Sequence, residues 1–249
     1  MVVQKDNAWK IKRIAPEMKE PLSNAHRIFI NQFCFFDEIK YKVIGKGECD
    51  CISLLSALEN NFGYAKSDSL HSVIEGIIED MLYDGSCAYL IEYNSNELKL
   101  EFEIPKNLGG KRLFRKNKYF LKDFLQEKMD SYISDLQQDK TTAYLKLRES
   151  YNEHCLAMER AFCDWGFVSS DSLPVSSFYV AYQRLKIERT KALLRDYIVE
   201  RINKLLSSMN IDARISLVED VLSPLDIEQK IEALNSGDLM IKDAAGIRC

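Results

Sequence analysis

The stretch SLHSVIEGIIEDMLYDGSCAYLIEYNSNELKLEFEI, residues 69–104, changes its apolar spacing half-way along and thereby decides the fold class. In its first half apolar residues recur at steps of three and four, which is the period of an amphipathic helix, and Asp84-Gly85 ends that helix. Residues 87–93 are then apolar and β-prone, residues 98–104 alternate apolar with charged side chains, and Asn94-Ser95-Asn96 is typical of a turn. The stretch therefore predicts a helix that leads into a β-hairpin.

Residues 177–208 repeat apolar side chains at helical spacing and predict one long amphipathic helix. Glu200 and Lys204 are four residues apart and are expected to pair on its outer face. The apolar face of such a helix can belong to the core of the chain or to a contact between subunits. The predicted apolar face consists of Phe178, Tyr182, Leu185, Leu194, Ile198, Ile202, Leu205 and Met209.

The chain beyond this helix has the clearest boundaries. Residues 211–217 alternate apolar and polar side chains, as a half-buried strand does. Ser223 then suits an N-cap, with Pro224 at the first helical position and Asp226 in the place of a capping box. Gly237 marks the C-terminal stop. We therefore predict a strand followed by a short, capped helix.

The remaining segments are less sharply defined. Residues 52–58 predict a shorter helix, and residues 29–36 form a dense apolar patch that we expect to be buried in either type of element. Residues 111–165 contain no Gly or Pro and predict one or two long helices joined by a polar kink near residues 137–142.

These elements predict a mainly helical α+β fold with long helices, a β-hairpin and a short strand. We divide the chain into a helix and hairpin region (1–110), a long-helix region (111–168) and a region with a long helix, a strand and a capped helix (169–249). The three regions are expected to intertwine in one domain.

The composition is that of a globular chain with a formal net charge of -4, which disfavours a strongly basic nucleic-acid binder. The seven cysteines are an odd number in a chain without a recognisable export signal, so we expect reduced thiols. No apolar run reaches membrane-spanning length. These features predict a cytoplasmic protein without a membrane partner.

The residues that could perform chemistry do not form a recognisable motif. Cys49 and Cys51 are separated by one residue, which is closer than the usual spacing of zinc-binding pairs. Ser86 lacks the flanking pattern of a nucleophile elbow. We therefore predict a protein that is not an enzyme and has no metal or other cofactor. The acidic residues expected to face solvent on the helix before Asp84 are Glu75, Glu79 and Asp80.

A cluster of basic side chains interleaved with aromatic residues follows residue 110. It comprises Lys111, Arg112, Arg115, Lys116 and Lys118. Such a cluster can contact nucleic-acid phosphates or a protein partner. The alternative is a solvated face whose aromatic residues point to the core.

The order of the N-terminal elements resembles the wing of tailed-phage portal proteins. Residues 58–62, the helix that ends near Tyr83 and residues 84–91 are similar to the portal pattern of an Asn-containing loop, a helix and a strand that begins with Gly-Asn-Ala-Tyr. In this chain that strand start reads Gly85-Ser86-Cys87-Ala88-Tyr89, with one insertion and without the Asn.

The C-terminal part carries the rest of the resemblance. Residues 174–179 and the helix that follows are similar to the loop and long helix that cross the portal wing. Residues 210–218 and 226–237 resemble the strand and helix that close portal cores. Portal proteins are usually much longer, so the chain resembles a shortened or divergent member whose clip and stem would be compressed into residues 103–165.

The resemblance implies a portal-like wing and stem core and a homo-oligomeric ring for the passage and packaging of phage DNA. Its implied partners are further copies of itself, double-stranded DNA and other phage structural proteins, and its implied location is the host cytoplasm and the virion. Residues 169–177 would then lie near the channel by their order in the chain. The alternative is a prophage-encoded or mobile-element-encoded interaction or regulatory protein, of the phage-defence type, that binds another phage or host protein.

Overall fold

The computed structural model describes residues 9–14, 35, 39–62, 69–84, 86–105, 108, 176–218 and 221–248. These residues form an α+β fold with small antiparallel sheets, which confirms the predicted class. The basic cluster and the predicted long-helix region lie outside the described residues. The elements in chain order are β1 (Lys10–Ile14), β2 (Tyr41–Ile44), α1 (Glu48–Phe62), α2 (Ser69–Asp84), β3 (Ser86–Tyr93), β4 (Asn96–Glu103), α3 (Ser177–Ser208), β5 (Arg214–Leu217), α4 (Pro224–Ser236) and α5 (Ile241–Ala244).

The predicted helix and hairpin are confirmed as α2, β3 and β4. β3 and β4 pair antiparallel from Ser86 opposite Glu103 to Tyr93 opposite Asn96, which leaves a two-residue turn. Asn94 and Ser95 have φ values of 49° and 66°, so both central residues are left-handed. This is the backbone of a type I′ turn, whose twist matches that of the flanking strands.

Two strands, β1 and β2, are additions that the sequence patterns did not indicate. β1 pairs antiparallel with β3, which gives a three-stranded sheet in the order β1-β3-β4. β2 pairs antiparallel with β5 in a separate two-stranded sheet. The described residues therefore join the beginning of the chain to its middle and its C-terminal part.

The predicted boundaries of the C-terminal helices are confirmed. The Ser223 side chain accepts a hydrogen bond from the backbone N–H of Asp226, and the Asp226 carboxylate accepts one from the backbone N–H of Ser223, which completes a capping box. Gly237 ends α4 with a left-handed φ of 87°. The expected ion pair between Glu200 and Lys204 is present on the surface of α3.

Two hydrophobic cores hold these elements, and α3 contributes to both. Its C-terminal half packs in the main core with α1, α2 and the hairpin, whereas its N-terminal half packs against α4 and α5. Phe178 was expected on the apolar face but is 40% exposed, because it lies in the first turn of α3, one turn before the first buried residue of the helix. The second core consists of Ala181, Leu185, Ala192, Ile227, Ile231, Leu234 and Ala244.

Candidate functional site

The five apolar residues proposed for the core or a subunit contact on α3 are all buried within the chain. Leu185 lies in the second core. The other four lie in the main core and are at most 5% exposed. These four residues are Leu194, Ile198, Ile202 and Leu205. All five residues stabilise the fold of one chain, so a contact between subunits must use other side chains.

The most specific arrangement beside the main core is a strand-docking site, in which residues 9–14 pair with the edge of β3 opposite β4. Lys10 to Ile14 pair with Glu92 to Ala88 in antiparallel register. The burial of β1 alternates, with Ile11 and Arg13 turned inward. Main-chain pairing with side-chain anchors is the way in which proteins bind extended peptides at a sheet edge.

Trp9 anchors the N-terminal end of the strand-docking site. Its indole stacks on the ring of Tyr93 with 4.1 Å between centroids. The indole Nε1 donates to the backbone oxygen of Asp50 at 3.1 Å and to the hydroxyl of Ser53 at 2.9 Å, both on α1. The Tyr93 hydroxyl also donates to the Asp50 carboxylate, at 2.8 Å. Trp9 is only 9% exposed, so this pocket holds both the apolar and the polar part of the indole.

A charged network anchors the other end. The Arg13 guanidinium lies 2.6 Å from one carboxylate oxygen of Asp80, and the Tyr89 hydroxyl donates to the other at 2.7 Å. Burial, followed by the charges of Cys87 and Asp80, raises the pKa of Tyr89 far above its ordinary value. Tyr89 therefore stays protonated and can donate its hydroxyl hydrogen to Asp80.

The expectation that the acidic residues of α2 face solvent was wrong for Asp80, which is only 8% exposed. Glu75 is also engaged, since its carboxylate accepts from the backbone N–H of Phe35 at 3.0 Å and lies 3.3 Å from His71 Nε2. Both carboxylates connect α2 to segments far away in the sequence. Such partners come from other elements, so helical periodicity alone could not show them.

An open groove borders the Trp9 pocket on the outer face of α1. Its volume is about 560 Å³. Ile52 is 44% exposed there and is the largest aliphatic side chain in the groove. Apolar side chains among small residues make this surface suited to contact with another chain. The groove is lined by Trp9, Cys49, Ile52, Ser53, Ser56, Ala57 and Asn60.

A second groove of about 800 Å³ lies between α3 and β5. On its floor the Asn203 side chain donates to the backbone oxygen of Ile215 at 2.9 Å and accepts from the Ile215 backbone N–H at 2.8 Å. One amide thus satisfies both backbone groups that a neighbouring strand would bind. Asn203 therefore links α3 to the edge of β5 that does not pair with β2, and it occupies the hydrogen-bonding groups of Ile215 on that edge.

The described candidate residues for chemistry differ in their exposure. Cys49 is exposed, whereas burial and the nearby charge of Glu48 raise the pKa of Cys51 to about 11. Ser86 begins β3 and is half-buried. Within the described ranges no three His, Cys, Asp or Glu residues are placed to hold a metal ion. None of the described helices has the length and apolar content to cross a membrane.

Comparison of the chain with protein-family models, with curated proteins and with solved structures gave no match. The functional assignment therefore depends on the residues and their geometry.

Proposed function

We propose that the chain is a portal-like structural protein that forms a homo-oligomeric ring for the passage and packaging of phage DNA. The observation that carries the proposal is the order of packed elements: a helix, a β-hairpin, a long helix, a strand and a capped helix. The sequence resemblance to portal proteins leads us to expect these elements in this order. Ile215 of β5 lies in the main core with Tyr89 and Phe102 of the hairpin, so the C-terminal strand packs in the same core as the hairpin.

A ring built from identical chains needs two different surfaces on each chain, because every contact is head to tail. The groove on α1 offers a concave surface with exposed Ile52 and a Trp9 wall. We assign one side of the subunit contact to this groove. The buried face of α3 is excluded from the contact, since Leu194 and its neighbours are already packed inside the chain.

The charge of the chain is compatible with DNA that must move through the ring. A formal net charge of -4 gives no strong overall attraction to phosphate. Weak, non-specific contact lets a duplex slide, whereas many Lys and Arg contacts would hold it in a salt-dependent manner. The ring is therefore proposed to guide DNA without gripping it.

The mass of the purified, reduced protein in solution tests the proposal, measured by light scattering on a sizing column. A closed complex of many subunits is expected. Ile52→Asp should dissociate it, because the charge would be buried in the contact. Leu225→Asp is the matched control, since Leu225 is 67% exposed at the start of α4 and does not line the α1 groove. A monomer or dimer at all concentrations and salt strengths would refute the ring.

The second candidate is the interaction or regulatory protein that binds a phage or host protein. The strand-docking site favours it, because the edge of β3 binds an extended segment, residues 9–14 of the same chain, by backbone pairing and by two side-chain anchors, and a partner's segment could be bound in the same way. A stable monomer that co-purifies with one defined partner would select this candidate over the ring.

A further inference from the structure

Residues 9–14 form an arm that contacts β3, α1 and α2. Its backbone pairs with β3, Trp9 sits on α1 and Tyr93, and Arg13 reaches Asp80 on α2. Lys10 adds an ion pair with Glu92 at 3.0 Å. The arm is basic and aromatic, and its receptor presents Asp80 and Glu92, so the two are complementary in charge and shape.

The tether of the arm is long. The 26 residues from 15 to 40 join β1 to β2, and β2 belongs to the other sheet. Phe35 is buried in the main core, so the 20 residues between Ile14 and Phe35 can span at most about 70 Å. The arm can therefore meet the receptor of its own chain or that of an adjacent chain with the same set of contacts. Exchange of an identical element between protomers costs little for this reason.

The receptor lies beside the surface that we assign to the subunit contact. Trp9 forms part of the wall of the open α1 groove, so the arm enters its site directly beside that surface. A second copy seated on the groove brings its own N-terminal residues next to the pocket for Trp9. The exposed Ile52 and the arm then belong to one continuous contact.

We propose that residues 9–14 of one copy occupy the strand-docking site of a neighbouring copy, a proposal that rests on the proposed ring. Each contact between subunits then includes the Trp9 stack, the Arg13 to Asp80 pair and the antiparallel pairing with β3. Burial of an aromatic side chain and main-chain pairing make such an arm a strong link between subunits. The bound arm then stabilises the contact between subunits that the groove forms.

The test uses full-length chains that each carry one introduced cysteine besides the seven native ones. Lys10 lies directly opposite Glu92, where facing Cβ atoms are about 4.5–5.5 Å apart and both side chains are exposed. One chain carries Lys10→Cys and the other Glu92→Cys, and both are produced in the same cell with different tags. A disulfide that joins positions 10 and 92 can then form only between chains, and peptide mass spectrometry identifies it. The matched control pairs Lys10→Cys with Leu225→Cys, which is also exposed.

The expected result is a covalent hetero-pair linked through positions 10 and 92 as the main oxidised product, with none in the control. Trp9→Ala should lower its yield strongly, because the anchor is lost. A disulfide that forms only when both cysteines are in one chain, in an assembly of unchanged mass, overturns arm exchange and leaves the ring intact. Light scattering on the same sample reports the ring separately, so a linked dimer without a ring refutes the ring and keeps the exchange.

Discussion

Asp80→Asn should weaken the attachment of β1 to α2 and lower the stability of the protein. The substitution keeps the shape of the side chain and an oxygen that accepts from Tyr89, which now donates at 2.7 Å. It removes the charge that faces Arg13 at 2.6 Å. The variant therefore isolates the ion pair from the rest of the network.

The magnitude follows from the burial of the pair. Asp80 and Arg13 have 11% and 30% of their side chains exposed. Removal of one partner from a fully buried pair costs about 3–5 kcal/mol, and exposed pairs contribute about 0.2–1 kcal/mol. The partial exposure of Arg13 places the expected loss between these limits, at about 2 kcal/mol.

Urea denaturation followed by circular dichroism measures this loss. With a slope of about 3 kcal/mol per molar urea for a chain of this size, the midpoint should fall by about 0.7 M. Glu92→Gln is the matched control, because it breaks the exposed pair with Lys10 on the same strand pairing. If both variants shift the midpoint equally, the Arg13 to Asp80 pair is no stronger than a surface pair and the reasoning is refuted.

Four further predictions address other parts of the fold. Asn203→Asp should cost about 1–2 kcal/mol in urea, since a carboxylate cannot donate to the Ile215 oxygen; an unchanged midpoint would contradict this role. Ser223→Ala should cost about 1 kcal/mol and speed amide exchange in the first turn of α4, because the capping box is lost. Iodoacetamide should label Cys49 in the native protein and Cys51 only after unfolding, as tandem mass spectrometry of their peptide would show. Because the folded pKa of Cys51 is raised from 9.0 to about 11, its stabilising contribution is present below pH 9.0 and is lost as the pH rises to about 11.

The sequence was sufficient for elements whose signals are local. The helix and hairpin of residues 69–104 follow from a change of period, and the turn at Asn94-Ser95 follows from its composition. The boundaries of α4 follow from the Ser223 cap and Gly237, because caps are set by residues within one turn of the helix end.

The strands β1 and β2 could not be predicted because their partners are distant. Residues 10–14 read KIKRI, with only two apolar side chains, and their partner strand begins at residue 86. β2 pairs with residues 214–217 near the other end of the chain. Short strands of this kind are stabilised by pairing with a neighbouring strand, and that strand lies beside them only in the folded chain.

Half of the strand-docking site was equally invisible in the sequence. Asp80 lies on a helix with other acidic residues, which is typical of a solvated face. Asp80 is buried against Arg13 on β1 and Tyr89 on β3. Because these partners lie on other elements, the pattern of the helix alone does not reveal them. Trp9 offered a weaker signal, since a tryptophan seldom stays exposed, but nothing in the sequence indicated its partners Asp50 and Ser53.

The long helix α3 gives the molecule a mechanical property. Its 32 residues make a rod about 48 Å long, held at one end by α4 and α5 and at the other by the main core. Between these ends Glu188 and Lys191 form a buried ion pair at 3.0 Å, which ties side chains one turn apart and stiffens the middle. A tilt of about 5° at the centre would move either end by about 2 Å. Because both cores share this helix, a displacement of α4 would be transmitted along α3 to the main core.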